Sequence, residues 1–262
     1  TSFNLEQWKK LRLHAKKNKI LFASSPFSIN SLNLLSKINV DFIKIASGEV
    51  TNLMLLQKVS KLKLPTILST GMSSWNEIEK AYEVLSDVKN LTIMQCSSVY
   101  PCPAEKTGLN ILYEIQKKFP VNVGFSDHTP GIAASVAAAA LGANMIEKHL
   151  TFSKQMYGSD ASNALEPNEF KTMVKSVKFV WKACDNPVNK NNTKSYKNMK
   201  KIFEKSIVSS KNIKKGEKIT LKNITLKKPG SGLGYNLINK IVGKKTNKFI
   251  IKDKLITFKD IN

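Results

Sequence analysis

Residues 121–149 read VNVGFSDHTPGIAASVAAAALGANMIEKH. A β-rich apolar run, Val121 to Phe125, ends in the polar group Ser126-Asp127-His128-Thr129. A helical stretch from Pro130 to Leu141 follows, and a second β run, Met145 to His149, ends the segment. Strand, helix and strand in this order predict a βαβ unit with parallel strands. The alanine-rich centre, Ala133 to Ala140 with Leu141-Gly142-Ala143, predicts a buried helix packed closely on the sheet. If the two strands are neighbours about 4.8 Å apart, His128 and His149 stand at matching strand ends and both imidazoles can converge on one ion. A single histidine at a strand end is commonly a hydrogen-bonded structural residue. Two at matching ends set a metal-binding or catalytic role beside that plainer reading.

The same unit recurs towards the N-terminus. Runs from Ile20 to Ala23, Phe42 to Ala46, Thr66 to Ser69 and Leu91 to Cys96 read as further strands. They alternate with helical patterns at Asn4 to Asn18, Ile29 to Ile38, Leu53 to Leu62, Trp75 to Leu85 and Leu109 to Lys118. Ser74 followed by Glu77 has the spacing of a capping box at the start of one of these helices. Six strands with covering helices predict an α/β fold of the TIM-type (β/α)8 barrel kind, lacking about its first two units, because a closed barrel needs eight. The barrel domain is expected over residues 1–184. From Asp185 the chain turns rich in asparagine and lysine, and 185–202 reads as an exposed linker. Residues 203–262 then read as a small, mostly-β domain, with short strands at Ser206 to Val208, Lys218 to Thr220 and Lys248 to Ile251.

In a parallel α/β barrel the chemistry sits at the C-terminal ends of the strands, and here those ends carry SSPFS, ASGEV, STGMSS, CSSVYPCP, FSDHT and KHLT. Lys44 runs straight into Ser47-Gly48-Glu49, a point charge beside small residues whose backbone N–H groups can approach an anion. Ser25, Ser69, Ser98 and Ser126 stand at equivalent ends; each alone is an ordinary loop residue, and together around one rim they suggest an anion site. Glu49, Asp127, Glu147 and Asp160 are candidate bases or hydroxyl-binding groups, against the plain alternative of solvated carboxylates. Tyr100, held between strand and Pro101, is either a wall of a sugar site or a packed loop aromatic. His14, beside Lys16 and Lys17, reads as a surface residue.

Lysine and arginine number 42 against 19 acidic residues, giving a formal charge of +23, and Arg12 is the one arginine. Phosphate recognition favours the bidentate fork of arginine, and the lysines lie on every apparent helix face, so the charge reads as compositional and no nucleic-acid partner is expected. A positive field would still steer an anionic substrate. No apolar run is long enough to span a bilayer, so no membrane partner is expected. Three cysteines without CxxC spacing fit neither a disulfide framework nor a zinc ribbon, and a cytoplasmic location is expected.

KIASGEVTN, ILSTGM, QCSSVYPCP, GFSDHTPGI, LGANMIEKHLT and GSDASNALEPNEF together resemble, in order and spacing, the barrel of the sialic acid synthase family, and SIVSSKNIKKGEKIT with LKKPGSGLG resembles its C-terminal antifreeze-like (SAF) domain. The resemblance implies a condensation of phosphoenolpyruvate with an N-acetylmannosamine-type sugar, giving a nine-carbon 2-keto acid of the N-acetylneuraminate or legionaminate type. It implies a divalent metal, manganese first and magnesium or cobalt as alternatives, on His128 and His149. It assigns phosphoenolpyruvate to Ser25, Lys44, Ser47, Ser69, Ser98 and Ser126, the sugar to Tyr100 and Asp160, and orientation or proton transfer to Glu49. It further implies a domain-swapped homodimer. Lys228 stands where the family carries an arginine directed at the sugar's N-acetyl group, and Ser159 stands where a proline is common. A non-catalytic remnant and a basic nucleic-acid-binding protein are the competing readings.

Overall fold

The computed structural model describes residues 3–262 and divides the chain into two compact units, the first ending at Pro187 and the second running from Val188 to Asn262. In the first unit six strands, β1 (Ala23–Ser24), β2 (Phe42–Ile45), β3 (Thr66–Ser69), β4 (Leu91–Cys96), β5 (Asn122–Asp127) and β6 (Met145–Lys148), form one parallel sheet in sequence order. The helices are α1 (Leu5–Lys17), α2 (Ile29–Lys37), α3 (Leu53–Leu62), α4 (Trp75–Leu85), α5 (Asn110–Lys118), α6 (Ala133–Ala140) and α7 (Pro167–Cys184). Each strand-to-strand step passes through a helix, and α7 follows β6. Among the described residues the sheet is an open barrel with β1 and β6 at its edges.

The central strands read as continuous apolar runs because both of their faces are covered. Every residue of β3 and β4 is buried, the pattern of a parallel sheet enclosed by helices. Ile43, Ile45, Leu68 and Ile93 pack with Leu55, Leu56 and Leu85 of the covering helices in one core. At α4, Ser74 accepts from the Glu77 backbone while the Glu77 carboxylate accepts from the Ser74 N–H, so the expected capping box is formed. Asn4 and Ser28 cap α1 and α2 in the same reciprocal way.

Several boundaries differ from the sequence reading. The run Ile20 to Ala23 forms no strand of that length: Ile20 and Leu21 are exposed, and pairing begins only at Ala23. The approach to β1 is instead fixed by Asp41, whose carboxylate accepts from the Phe22 N–H at 2.7 Å and pairs with Arg12 at 2.6 Å. The helix expected over Pro130 to Leu141 starts at Ala133, because Gly131 has φ +74° and breaks the helical path. No helix of the described residues is long and apolar enough to cross a membrane.

In the second unit β7 (Ser206–Ser209) pairs antiparallel with β8 (Ile224–Lys227). The remaining contacts are single bridges, including Lys218 with Lys245 and Ile213 with Ile250, so the strands expected at Lys218 to Thr220 and Lys248 to Ile251 are not formed as ladders. The core is eight isoleucines: Ile207, Ile213, Ile219, Ile224, Ile241, Ile250, Ile256 and Ile261. The segment read as a linker over 185–202 ends inside helix α8 (Lys197–Phe203), which follows a 3-10 turn at Lys194–Tyr196.

Candidate functional site

Side chains alternate across a strand, and the register of β5 against β6 places Ser126 beside Glu147 and Asp127 beside Lys148. Successive residues therefore serve opposite faces. Ser126 and Glu147 face the barrel interior, where the Ser126 hydroxyl donates to Glu147 at 2.7 Å. Asp127 and Lys148 face the α6 side. Their side chains are fully buried 3.1 Å apart. His128 and His149 follow, with ring centroids 5.3 Å apart and planes inclined by 37°.

Ser25, Lys44, Ser126, Asp127, His128, Glu147, Lys148 and His149 line one cavity of about 270 Å³ at the C-terminal ends of the strands. The Lys44 ammonium donates to Ser69 at 2.8 Å and faces Glu147 at 3.4 Å. A larger, mostly apolar groove between residues 101–110 and α6 lacks such convergent charges. Ser47 and Ser98 close around Gly71: the Gly71 N–H donates to Ser47 at 2.9 Å, and a Cβ at that glycine would lie 2.5 Å from the Ser98 hydroxyl and 3.0 Å from that of Ser47. Only glycine leaves this cradle open.

His128 is oriented by its backbone-facing nitrogen. Nδ1 lies 2.7 Å from the Ser97 carbonyl oxygen, which can only accept, so Nδ1 carries the proton and Nε2 keeps its lone pair. Burial holds the His128 imidazole below its usual pKa, partly offset by that hydrogen bond, which favours the neutral, ligating form. Tyr100 stacks over His128 at 4.1 Å and meets His149 edge-on at 6.1 Å. Burial raises the Tyr100 pKa, and the Asp160 and Glu147 carboxylates push the same way. The Cys96 thiol lies 3.8 Å from His128 Nδ1, and burial raises its pKa.

Among the described residues no cluster of three or more histidine, cysteine, aspartate or glutamate side chains is arranged to hold a metal. Two imidazoles facing one cavity, one with its tautomer fixed by a carbonyl, do fit a divalent ion whose remaining positions are taken by water and substrate oxygens.

The structure thus brings Ser25, Lys44, Ser69, Ser126, His128 and His149 together, with Tyr100 above them and Ser47 and Ser98 adjoining through Gly71. Glu49 is not among the residues lining this cavity and accepts from the Asn52 side chain at 2.8 Å at the entry to α3. Lys228 belongs to the second unit, where its ammonium lies 5.0 Å from the Phe203 ring centroid. Asp127 is no free base: its carboxylate accepts from the Thr129 N–H and hydroxyl, both at 2.8 Å, from Ser135 at 2.5 Å and from Lys148. Sequence reasoning passed over Gly71 and Lys148. The strand-to-loop glycine in STGM was the available signal for the first, and one lysine among many gave none for the second.

The first unit is an open parallel barrel of the (β/α) type with Lys44, several serines and a histidine pair at one rim, and a small β module follows it. The chain belongs to the NeuB family, whose model matches residues 1–189, and a SAF domain matches residues 204–262. It is 40% identical over 257 residues to the N,N'-diacetyllegionaminic acid synthase of Campylobacter jejuni, covering 97% of this chain and 77% of that protein. Human N-acetylneuraminate-9-phosphate synthase is 34% identical over 259 residues, covering 97% and 71%. The crystal structure of the N-acetylneuraminic acid synthetase of Leptospira borgpetersenii, in complex with citrate, superposes with a TM-score of 0.71 at 30% identity over 76% of this chain and 70% of that one.

Proposed function

We propose that this protein condenses phosphoenolpyruvate with the open-chain form of an N-acetylmannosamine-type or diacetylated amino sugar, releasing phosphate and a nine-carbon 2-keto acid. The observation that carries the reading is the convergence of Lys44, Ser25 and Ser126 with His128 and His149 on one cavity. C3 of phosphoenolpyruvate bonds to the aldehyde carbon, water adds at C2, and phosphate departs with cleavage of the C2–O bond. Lys44, assisted by Ser69, Ser126 and the Ser47–Gly71–Ser98 cradle, holds the phosphate and carboxylate by charge-assisted hydrogen bonds. His128 and His149 would hold manganese, magnesium or cobalt, which when bound supplies a Lewis acid for the aldehyde oxygen. Tyr100 forms an apolar wall against the sugar, and Asp160 binds its hydroxyls. Glu147, hydrogen-bonded to Ser126 and facing Lys44, holds both in place and offers an acceptor for a proton at the reacting centre.

Glu49 orients substrate from the edge of the site, which requires it to leave Asn52. Lys228 reaches the sugar of a partner barrel in a domain-swapped homodimer, with a single ammonium in place of a bidentate donor. The free, buried thiols of Cys96 and Cys102 support a cytoplasmic location. Of the sugars, the 2,4-diacetamido type is the first choice, because the C. jejuni legionaminic acid synthase is the more similar of the two synthases compared. Product analysis by mass spectrometry with N-acetylmannosamine, its 6-phosphate and a 2,4-diacetamido sugar tests the choice. A 2,4-diacetamido preference supports it, and preference for the phosphorylated sugar sinks it.

A further inference from the structure

The hydrogen-bonded ladder between β5 and β6 ends at the pair Asp127 and Lys148. His128 and His149 each lie one residue beyond it, where no backbone pairing fixes their separation. β6 has β5 as its one ladder neighbour, and just beyond its end Leu150 forms a single parallel bridge with Leu165. Between the two strands the Asp127–Lys148 ion pair spans this last rung, with both side chains sealed from solvent.

The pair is built for rigidity. Thr129 donates two hydrogen bonds to one carboxylate oxygen, and Ser135 of α6 donates one to the other. Lys148 donates in addition to the Thr129 carbonyl oxygen, tying β6 to the residue after His128. On the other strand the His149 carbonyl accepts from the Leu165 N–H at 2.9 Å. The His128 carbonyl likewise accepts from the Cys102 N–H at 2.9 Å, so the backbones of both histidines are tied down. A buried ion pair is a poor way to gain stability, since apolar residues of similar volume commonly serve as well or better. Its position, directly preceding both imidazoles, gives it another use.

We propose that Asp127 and Lys148 are positioning residues that set the spacing of His128 and His149 so that the two imidazoles can share one divalent metal. The inference rests on the metal role proposed for the two histidines. Both residues border the cavity, but their side chains are fully buried, so the role is one of position and not of ligation. Its consequence is that metal affinity and fold stability separate: outer partners of a metal site influence affinity by about 10- to 100-fold, while near-isosteric neutral replacements can leave the fold intact.

Cobalt(II) serves as the probe, titrated into the full chain and followed by its visible spectrum and by calorimetry. The variants are Asp127→Asn/Lys148→Met, Ser135→Ala and His128→Ala, each with a thermal melt. Asparagine keeps an acceptor for Thr129, and methionine keeps the lysine stem, so the double variant is expected to melt within a few degrees of the parent. It is expected to bind cobalt about 10- to 100-fold more weakly with an altered spectrum. A folded double variant that binds as tightly as the parent, with the same spectrum, overturns the proposal. Should it fail to fold, Ser135→Ala decides: weaker binding at an unchanged melting temperature supports the positioning role, and parent-like binding overturns it. Failure of the underlying metal reading looks different, with the parent binding no cobalt or binding it equally well after His128→Ala.

Discussion

Replacing Lys44 with methionine keeps most of the side-chain volume and removes the one ammonium that faces Ser69 and Glu147 inside the cavity. The Nζ atom donates to Ser69 at 2.8 Å and stands 3.4 Å from Glu147, with the side chain 15% exposed. A hydrogen bond to a charged group contributes about 1.5–3 kcal/mol, so losing one to phosphoenolpyruvate weakens binding by roughly 10- to 150-fold at about 1.4 kcal/mol per decade. The upper part of that range is expected, because the substitution also leaves the Glu147 carboxylate uncompensated beside the incoming anion. Adding Glu147→Gln to Lys44→Met therefore recovers part of the loss, with a coupling of about 0.5–3 kcal/mol between the two sites. The assay is equilibrium binding of phosphoenolpyruvate by calorimetry for parent, both singles and the double, at one fixed ionic strength because exposed charges are screened by salt. Binding by Lys44→Met within a factor of two of the parent refutes the assignment of Lys44 to the anion. A strictly additive double variant refutes the assigned partnership with Glu147.

Gly71→Ala places a methyl group 2.5 Å from the Ser98 hydroxyl and 3.0 Å from Cys96 Sγ and the Ser47 hydroxyl; overpacking of this kind costs about 1–3 kcal/mol, and the Michaelis constant for phosphoenolpyruvate should rise by more than that for the sugar in steady-state kinetics. For His128, whose pKa is depressed on folding from an ordinary 6.5, the unfolded chain takes up the proton first on acidification. Its stabilising contribution is full above about pH 6.5 and is lost as pH falls towards the folded-state value; melts from pH 7.5 to 5 should show a smaller drop for His128→Asn than for the parent. In the second unit, Ile219→Ala empties a fully buried site in the all-isoleucine core, at a cost of about 2–5 kcal/mol, and calorimetry should show a lowered transition for that unit alone.

The paired histidines were legible in the sequence because strand period and helix length together determine which residues share a strand end, and no contact information is needed for that. The same logic gathered Ser25, Lys44, Ser69 and Ser126 onto one rim. Asp127 was legible in position, as a base, a hydroxyl-binding group or a solvated carboxylate; what the sequence did not show is that Thr129, Ser135 and Lys148 occupy its carboxylate. Partners of that kind come from α6 and β6 and leave no periodic trace. Lys148 was hidden by the lysine content of the chain, and Glu49 stands where expected but spends its carboxylate on Asn52. Ile20 and Leu21 were read as strand because they are apolar, yet pairing starts after them. α8 was missed because three lysines and an asparagine dilute its apolar positions, and β8 because a run of four residues is too short to stand out; such short elements are held by tertiary contacts more than by local propensity.

The central claim is tested most directly by phosphate release from phosphoenolpyruvate in the presence of manganese, measured with and without a 2,4-diacetamido sugar or N-acetylmannosamine, for the parent and for His128→Ala. The account predicts release that depends on the sugar and falls to background in the histidine variant. Release that ignores the sugar, equal release from the variant, or no release with either sugar would contradict it.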